Sequence, residues 1–293
     1  MSDWPCLADL LTDGEAPVAL LGAPMEAGSV TPGRCDLAPA ALRKALRRIS
    51  TYDLEARLEL ATPVRDRGDV PVQGLMPADG FMAVRDACAA ATAAHRLTLL
   101  IGGNNAVTRP AAHGLGVPLA SVGLITLDAH FDLRGTEQGP RNGNPVRCLL
   151  EDGLPGRNIC QLGLAPFANT AEMHRTALAA EIAVVPVAEC KSRGLAVVEE
   201  ALARLSHAEV LMVDFDIDVI DRGQFPGAPG ARPGGLPADW FFAAARRLAA
   251  EPRLRLADLT EFDPGLDASD LSALTAGRWV AEMLAGFAAR EQR

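Results

Sequence analysis

Two apolar runs that each end in a cluster of aspartates set the tightest limits on how this chain can fold. In LITLDAHFDLR the run leads into Asp128, His130 and Asp132, and in VLMVDFDIDVID into Asp214, Asp216, Asp218 and Asp221. Short, continuously apolar runs read as strands buried on both faces. In an extended backbone residues i and i+2 share a face, so each segment aims two or three metal-grade ligands one way. Carboxylates converging at a strand end repel one another, and a divalent cation is the usual compensation. Mixed carboxylate and imidazole ligation suits Mn²⁺, Fe²⁺, Ni²⁺ or Zn²⁺ better than the all-oxygen shell of Ca²⁺ or Mg²⁺.

Residues 18–22, 97–101, 122–128, 159–164, 182–187, 210–216 and 254–259 all read as buried strands. Between them, Ala/Leu/Arg-rich stretches at 38–49, 81–96, 170–181, 195–206 and 237–251 predict helices, several introduced by Pro or Thr. This alternation predicts right-handed βαβ units in a three-layer αβα fold with a mostly parallel central sheet. Ligands of such sheets gather at the strand carboxyl ends. GGNN, DAHFD, DIDVID and TEFDP each follow a predicted strand, so four sequence-distant segments are expected on one rim. The 293 residues, 49% of them hydrophobic, can bury a large core. No linker, repeat or low-complexity tract divides them, so one domain over 1–293 is expected.

A net charge of -9 argues against nucleic acid, which demands a basic footprint. The start lacks a basic leader and no apolar stretch reaches membrane-spanning length, so a cytoplasmic protein without membrane contact is expected. Six scattered cysteines without a CxxC pair fit reduced thiols.

Taken together, LGAPMEAGSVTPGR, RDRGDV, IGGNNAV, LDAHFDLR, VDFDIDVID and LTEFDP resemble the ureohydrolase family of arginases, agmatinases and formimidoylglutamases. A strand ending in DFD also resembles haloacid-dehalogenase-type phosphatases, but there it would come early and leave DAHFD unexplained. The ureohydrolase resemblance implies an arginase/deacetylase-like fold, two Mn²⁺ ions and hydrolysis of a C–N bond in an amidine or guanidine by a metal-activated hydroxide. By position it implies that Asp128 and Asp216 bridge the metals, that His130, Asp132 and Asp218 each bind one, and that Asp132 orients the nucleophile and takes its proton. Glu261 of TEFDP would pair with the amidinium. The resemblance also implies a homo-oligomer, a trimer or hexamer.

The departures from the family pattern are informative. Asn105 stands where the family usually has a metal-binding histidine, so one metal is expected to bind loosely or not at all, leaving two metals or one. His95, His174 and His207 read as helix residues and His113 as a loop residue, none of them a replacement. No shuttling histidine occurs in RNGNPVRCLL; Asn142 and Asn144 there are candidates for substrate contact or members of a turn. Arg134 can grip a carboxylate bidentately or neutralise the aspartates around it. DAHFDLR and CQLGLAPFANT are most like the formimidoylglutamase branch, which implies N-formimidoyl-L-glutamate as substrate and L-glutamate and formamide as products. The alternatives are another guanidino or amidino acid hydrolase, or a non-catalytic relative with a degraded metal site.

Overall fold

All seven apolar runs become strands of one sheet in a computed structural model that describes residues 4–290. Among these residues the strands are β1 (Leu11–Thr12), β2 (Val18–Ala23), β3 (Tyr52–Asp53), β4 (Leu58–Glu59), β5 (Val64–Asp69), β6 (Leu97–Gly102), β7 (Val122–Leu127), β8 (Ile159–Leu164), β9 (Ala183–Pro186), β10 (Val210–Asp216) and β11 (Leu254–Thr260). The helices are α1 (Ala38–Ala45), α2 (Pro77–Ala94), α3 (Thr108–His113), α4 (Pro145–Glu151), α5 (Ala171–Ala179), α6 (Val187–Arg193), α7 (Ala196–Arg204), α8 (Ala238–Ala249) and α9 (Leu271–Ala288).

Nine strands pair in the order β1-β5-β2-β6-β11-β10-β7-β8-β9, all in parallel, while β3 and β4 form a separate antiparallel hairpin. Parallel neighbours need long crossovers, and helices supply them on both faces. Helices α1, α6, α7, α8 and α9 share one apolar cluster with the sheet, and α2, α3, α4 and α5 share the other. Side-chain alternation divides β10 between them: Leu211, Val213 and Phe215 enter the first cluster, Val210 and Met212 the second. Asp214 and Asp216 continue the second set.

Strand order creates the site. Although β6 and β7 are consecutive along the sheet-forming chain, β11 and β10 lie between them, so the segments after β6, β11, β10 and β7 stand side by side. Such a reversal of strand order opens a crevice at the carboxyl ends.

Strand β5 was not among the apolar runs, since VRDRGD is charged and mostly half-exposed or exposed; its pairing with β1 and β2 makes it a strand. Helix α9 lies outside the helical stretches named from sequence, and it is buried along most of its length. Helix α2 starts at Pro77, before the predicted 81, and the stretch from 38 tightens into a 3-10 turn at Leu46–Arg48. Three histidine readings are corrected. His113 is the last residue of α3, tied to Asp152 at 2.9 Å, not a loop residue. His95 and His207 lie just past α2 and α7, because their rings engage the Ala16 carbonyl and Asn158 Oδ1 instead of continuing those helices. All six cysteines are free and buried. Among the described residues no helix is long and apolar enough to cross a membrane.

Phe215 is fully buried between Phe241 and Trp279, with ring centroids 5.5 and 5.4 Å away. Phe215→Ala would leave a cavity between β10, α8 and α9, and a loss of about 3–5 kcal/mol in urea unfolding is expected. A loss under ~1 kcal/mol would show that this layer does not pack as described.

Candidate metal centre

Each rim segment begins where a strand stops pairing and its backbone can turn a side chain inward. After β7, Asp128 Oδ1 accepts the His130 N–H at 2.6 Å, folding the DAH segment into a tight turn. After β10, Asp216 Oδ1 accepts the Asp218 N–H at 3.1 Å, the same device one strand away. These turns bring together two ligand groups, Asp128 with His130 and Asp218, and Asp128 with Asp132 and Asp216, each with ligand atoms within 4.8 Å of one another. Asp128 is common to both groups, whereas Asp216, expected from the resemblance to bridge as well, falls in the second group only. Asp221, counted with this cluster from sequence, is spent on the Gly223 and Gly234 N–H groups of the following loop.

Two carboxylates reach their places through unusual backbone. Asp132 has φ 53° and Glu261 φ 61°, both in the left-handed region that side chains with a Cβ seldom adopt. Such conformations cost on the order of 1–3 kcal/mol and persist where the surroundings hold them. Here the Asp132 carbonyl accepts from Arg147 N–H at 3.1 Å, and the Glu261 N–H donates to the Gly103 carbonyl at 2.9 Å.

The electrostatics are those of a site built around a cation. Burial pushes Asp128 up to about 6, and it holds Asp132 and Asp216 well above the usual carboxylate range, with Asp128 and Asp218 respectively adding repulsion. His130, 3.0 Å from Asp218, is drawn up to about 12 by that carboxylate against the effect of burial. Burial opposes ionisation of Asp218 most of all, but the charge of His130 together with hydrogen bonds from His130 and the Ala129 N–H outweighs it and lowers this one pKa. Asp128 Oδ2 and Asp214 Oδ1 are buried without a hydrogen-bond partner. Orphaned oxygens among mutually repelling carboxylates, with one imidazole, fit a divalent transition metal. Asp128, His130 and Asp218 could hold one ion, and Asp128, Asp132 and Asp216 a second.

Asn105 enters the second group with its amide nitrogen. Its Nδ2 donates to Asp132 Oδ2 at 2.7 Å and approaches Asp214 Oδ2 at 3.4 Å. Its carbonyl, the atom expected to be a weak ligand, accepts from the Thr108 and Thr260 hydroxyls at 2.7 and 3.1 Å. An ionised carboxylate can only accept, so this orientation of the amide goes with an ionised Asp132.

A pocket of about 100 Å³ opens over the groups and is also lined by Arg134, Asn142, Arg232 and Glu261. A larger cavity of about 670 Å³, between the β3–β4 hairpin and α8 and α9, contains none of the site carboxylates. Glu261 is buried, accepts from the Asn105 N–H and Asn142 Nδ2 at 2.8 and 3.0 Å, and is pushed up to about 7 by burial. Arg134 is exposed at the mouth, its stem lying over Gly143. Asn144 sits off the pocket: its amide donates to the Gly135 and Gly139 carbonyls and its oxygen accepts from the Arg141 N–H. This geometry fits the turn reading and leaves no atom of that amide for a substrate.

Several contributors escaped sequence reading. Asp258, buried at mid-strand in β11, stands opposite Asp214 in register, and its Oδ2, 2.9 Å from the Thr108 hydroxyl, shares that group's single hydrogen with Asn105 Oδ1. Its signal was visible as a lone acid inside an apolar run. Asn169 accepts from the Phe131 N–H at 2.8 Å and donates to the Ala129 carbonyl at 2.9 Å, bracing the DAHFD turn from the segment after β8.

Carboxylates whose folded pKa is raised contribute stability below their unfolded value and lose it as pH rises through the folded one. Asp128 at about 6 and Glu261 at about 7 therefore weaken the metal-free fold across that window. The melting temperature of chelator-treated protein is expected to fall between about pH 5 and pH 8, and manganese to flatten that fall. Equal pH profiles with and without manganese would remove the assignment of these groups to a metal.

The sequence pattern of the Arginase family matches residues 16–286. The formimidoylglutamase of Ralstonia nicotianae is 32% identical over 307 residues, covering 96% of this chain and 88% of that protein. The solved formimidoylglutamase of Bacillus subtilis is 25% identical with a TM-score of 0.91, over 98% of this chain and 93% of that one. A Trypanosoma cruzi formiminoglutamase solved with two Mn²⁺ is 22% identical with a TM-score of 0.90, over 98% of this chain and 100% of that one, and shares the fold. A rim of paired aspartates and one histidine on a parallel sheet is thus met by a sequence pattern spanning nearly the whole length, and the chain belongs to the arginase family.

Proposed function

We propose that the chain hydrolyses N-formimidoyl-L-glutamate to L-glutamate and formamide, using two Mn²⁺ ions such as those in the Trypanosoma cruzi relative. The observation that carries this reading is a single pocket in which two ligand groups sharing Asp128 adjoin a buried carboxylate, Glu261, and an exposed guanidinium, Arg134. Those are partners for the two ends of an amidine that carries carboxylates. The formimidoylglutamase from Ralstonia nicotianae, at 32% identity over most of both chains, supports the same substrate.

Bound Mn²⁺ would supply Lewis-acid charge and lower the pKa of water at the rim. Glu261, held by Asn105 and Asn142, faces the amidinium and gains its negative charge when that cation arrives. Arg134 grips a substrate carboxylate. Asp132, aimed into the pocket by its left-handed backbone, accepts the proton of the attacking water. Oxygen adds to the amidine carbon, the bond from that carbon to the glutamate nitrogen breaks, and this nitrogen leaves with a proton as the amine.

A second reading has one observation in its favour. Asn105 offers the second ligand group an N–H instead of a lone pair, which supports a one-metal site or a binding protein without turnover.

Metal analysis after manganese reconstitution separates these readings: two ions per chain are expected, one supports a remodelled centre, and none would end catalysis by this route. Asn105→His is expected to tighten manganese binding by about 10-fold or more, since imidazole replaces an amide that cannot ligate in its present orientation. Unchanged affinity would place residue 105 outside the metal shell. In a screen of amidino and guanidino acids, formamide from N-formimidoyl-L-glutamate is expected. Glu261→Gln should cut kcat/KM for it by about 100-fold, through loss of a charge-assisted contact to the amidinium. Release of urea or ammonia from a different substrate would redirect the assignment.

A further inference from the structure

We infer that Arg232 is a second specificity-determining residue, which with Arg134 forms a two-guanidinium clamp for substrates bearing two carboxylates. The inference deepens the proposed function, and rests on it for the identity of the reacting end.

The two arginines come from different loops, one after β7 and one in the 221–236 segment after β10, and both line the pocket over the metal ligands. Both are exposed and neither forms an ion pair among the described residues, although each stands beside a dense acidic cluster. Elsewhere in this chain several arginines take carboxylates: Arg43 holds Asp66 and Asp69, Arg109 forks onto Asp152, and Arg246 joins Asp53 and Glu282, while Arg204, Arg222 and Arg255 bond carbonyls. An arginine serving only to neutralise the rim would pair with a carboxylate as the first three do.

Glycines set both in place. A Cβ on Gly143 would lie 2.7 Å from Arg134 Cδ and 2.9 Å from Nε, so the bare backbone lets that side chain lie flat. Arg232 is tied by Nη1 to the Gly230 carbonyl at 2.6 Å and approaches the Ala231 carbonyl at 3.4 Å. Gly230 in turn abuts the ligands, since a Cβ there would come within 2.1 Å of Asp218 Oδ2 and 3.3 Å of His130 Cε1. Arg232 is thereby fixed close to one ligand group, with guanidinium nitrogens left for a ligand. Each unpaired fork matches one carboxylate. With Glu261 facing the amidinium, two carboxylates remain on a formimidoyl dicarboxylic acid and two guanidinium groups remain to meet them.

The test is calorimetric binding of L-glutamate, 2-aminobutyrate and 4-aminobutyrate to the manganese-supplemented full chain, in wild type and in Arg134→Gln, Arg232→Gln and Arg232→Lys. Wild type is expected to favour L-glutamate over both monocarboxylates. Arg232→Gln should weaken L-glutamate by about 10- to 100-fold and one monocarboxylate by less than about 3-fold, with Arg134→Gln showing the opposite selectivity and Arg232→Lys a partial rescue. The clamp is overturned if wild type shows no preference for L-glutamate, or if Arg232→Gln leaves L-glutamate unchanged or weakens all three ligands equally. Formamide release from N-formimidoyl-L-glutamate by the same wild-type sample is a separate readout. Selective dicarboxylate binding without formamide would sink the proposed reaction and leave the clamp standing.

Discussion

Mutual repulsion among buried carboxylates is the constraint on which this architecture depends. Asp128, Asp132, Asp214, Asp216, Asp218, Asp258 and Glu261 are all buried, and they come from three adjacent parallel strands and their loops. Seven acids so placed would be prohibitive if ionised and unpaired, and His130 compensates only one of them well. The upward pKa shifts of six of these seven groups describe a molecule waiting for positive charge. The apolar helices on both faces make the problem acute by excluding water, and the same exclusion strengthens binding of a cation at the rim.

Asn105 is the organising neutral group of this acidic set. It spends its backbone N–H on Glu261, its amide nitrogen on Asp132 and its amide oxygen on Thr108 and Thr260, so residues from β6, β11 and the DAHFD turn are locked to one another through it. A histidine could ligate metal there but could not make all of these contacts. In the proposed reaction, Asn105 therefore couples the amidinium-facing carboxylate to the proton-accepting one. A buried network of this kind rigidifies a site more than its separate bonds would.

How far the sequence could be read follows from the range of each interaction. The apolar runs announced six interior strands, because burial on both faces leaves a local mark, and the half-exposed edge strand β9, and the same logic hid β5, whose charged VRDRGD is only partly covered. Asp128, His130, Asp132, Asp216 and Asp218 were legible as ligand types placed at strand ends, and Glu261 as an acid in the corresponding position on β11. Asn144 stayed open between two roles because a turn asparagine and a binding asparagine look alike until their partners are known. Arg232 was not singled out because it lies within PGAPGARPGG, where glycines and prolines dominate the local pattern.

The sequence by itself determined a parallel α/β fold, a rim of acidic ligands and the anomaly at position 105. Only the tertiary structure decided that β11 and β10 stand between β6 and β7, that Asp132 and Glu261 adopt left-handed backbone, and that Asn105 turns its nitrogen toward the carboxylates. The physical reason is separation along the chain. Hydrophobic periodicity reports each strand's own burial, whereas Asn105 meets Asp132 27 residues away and Glu261 156 residues away. Contacts of that length are set by which strands become neighbours, and no local pattern encodes the choice.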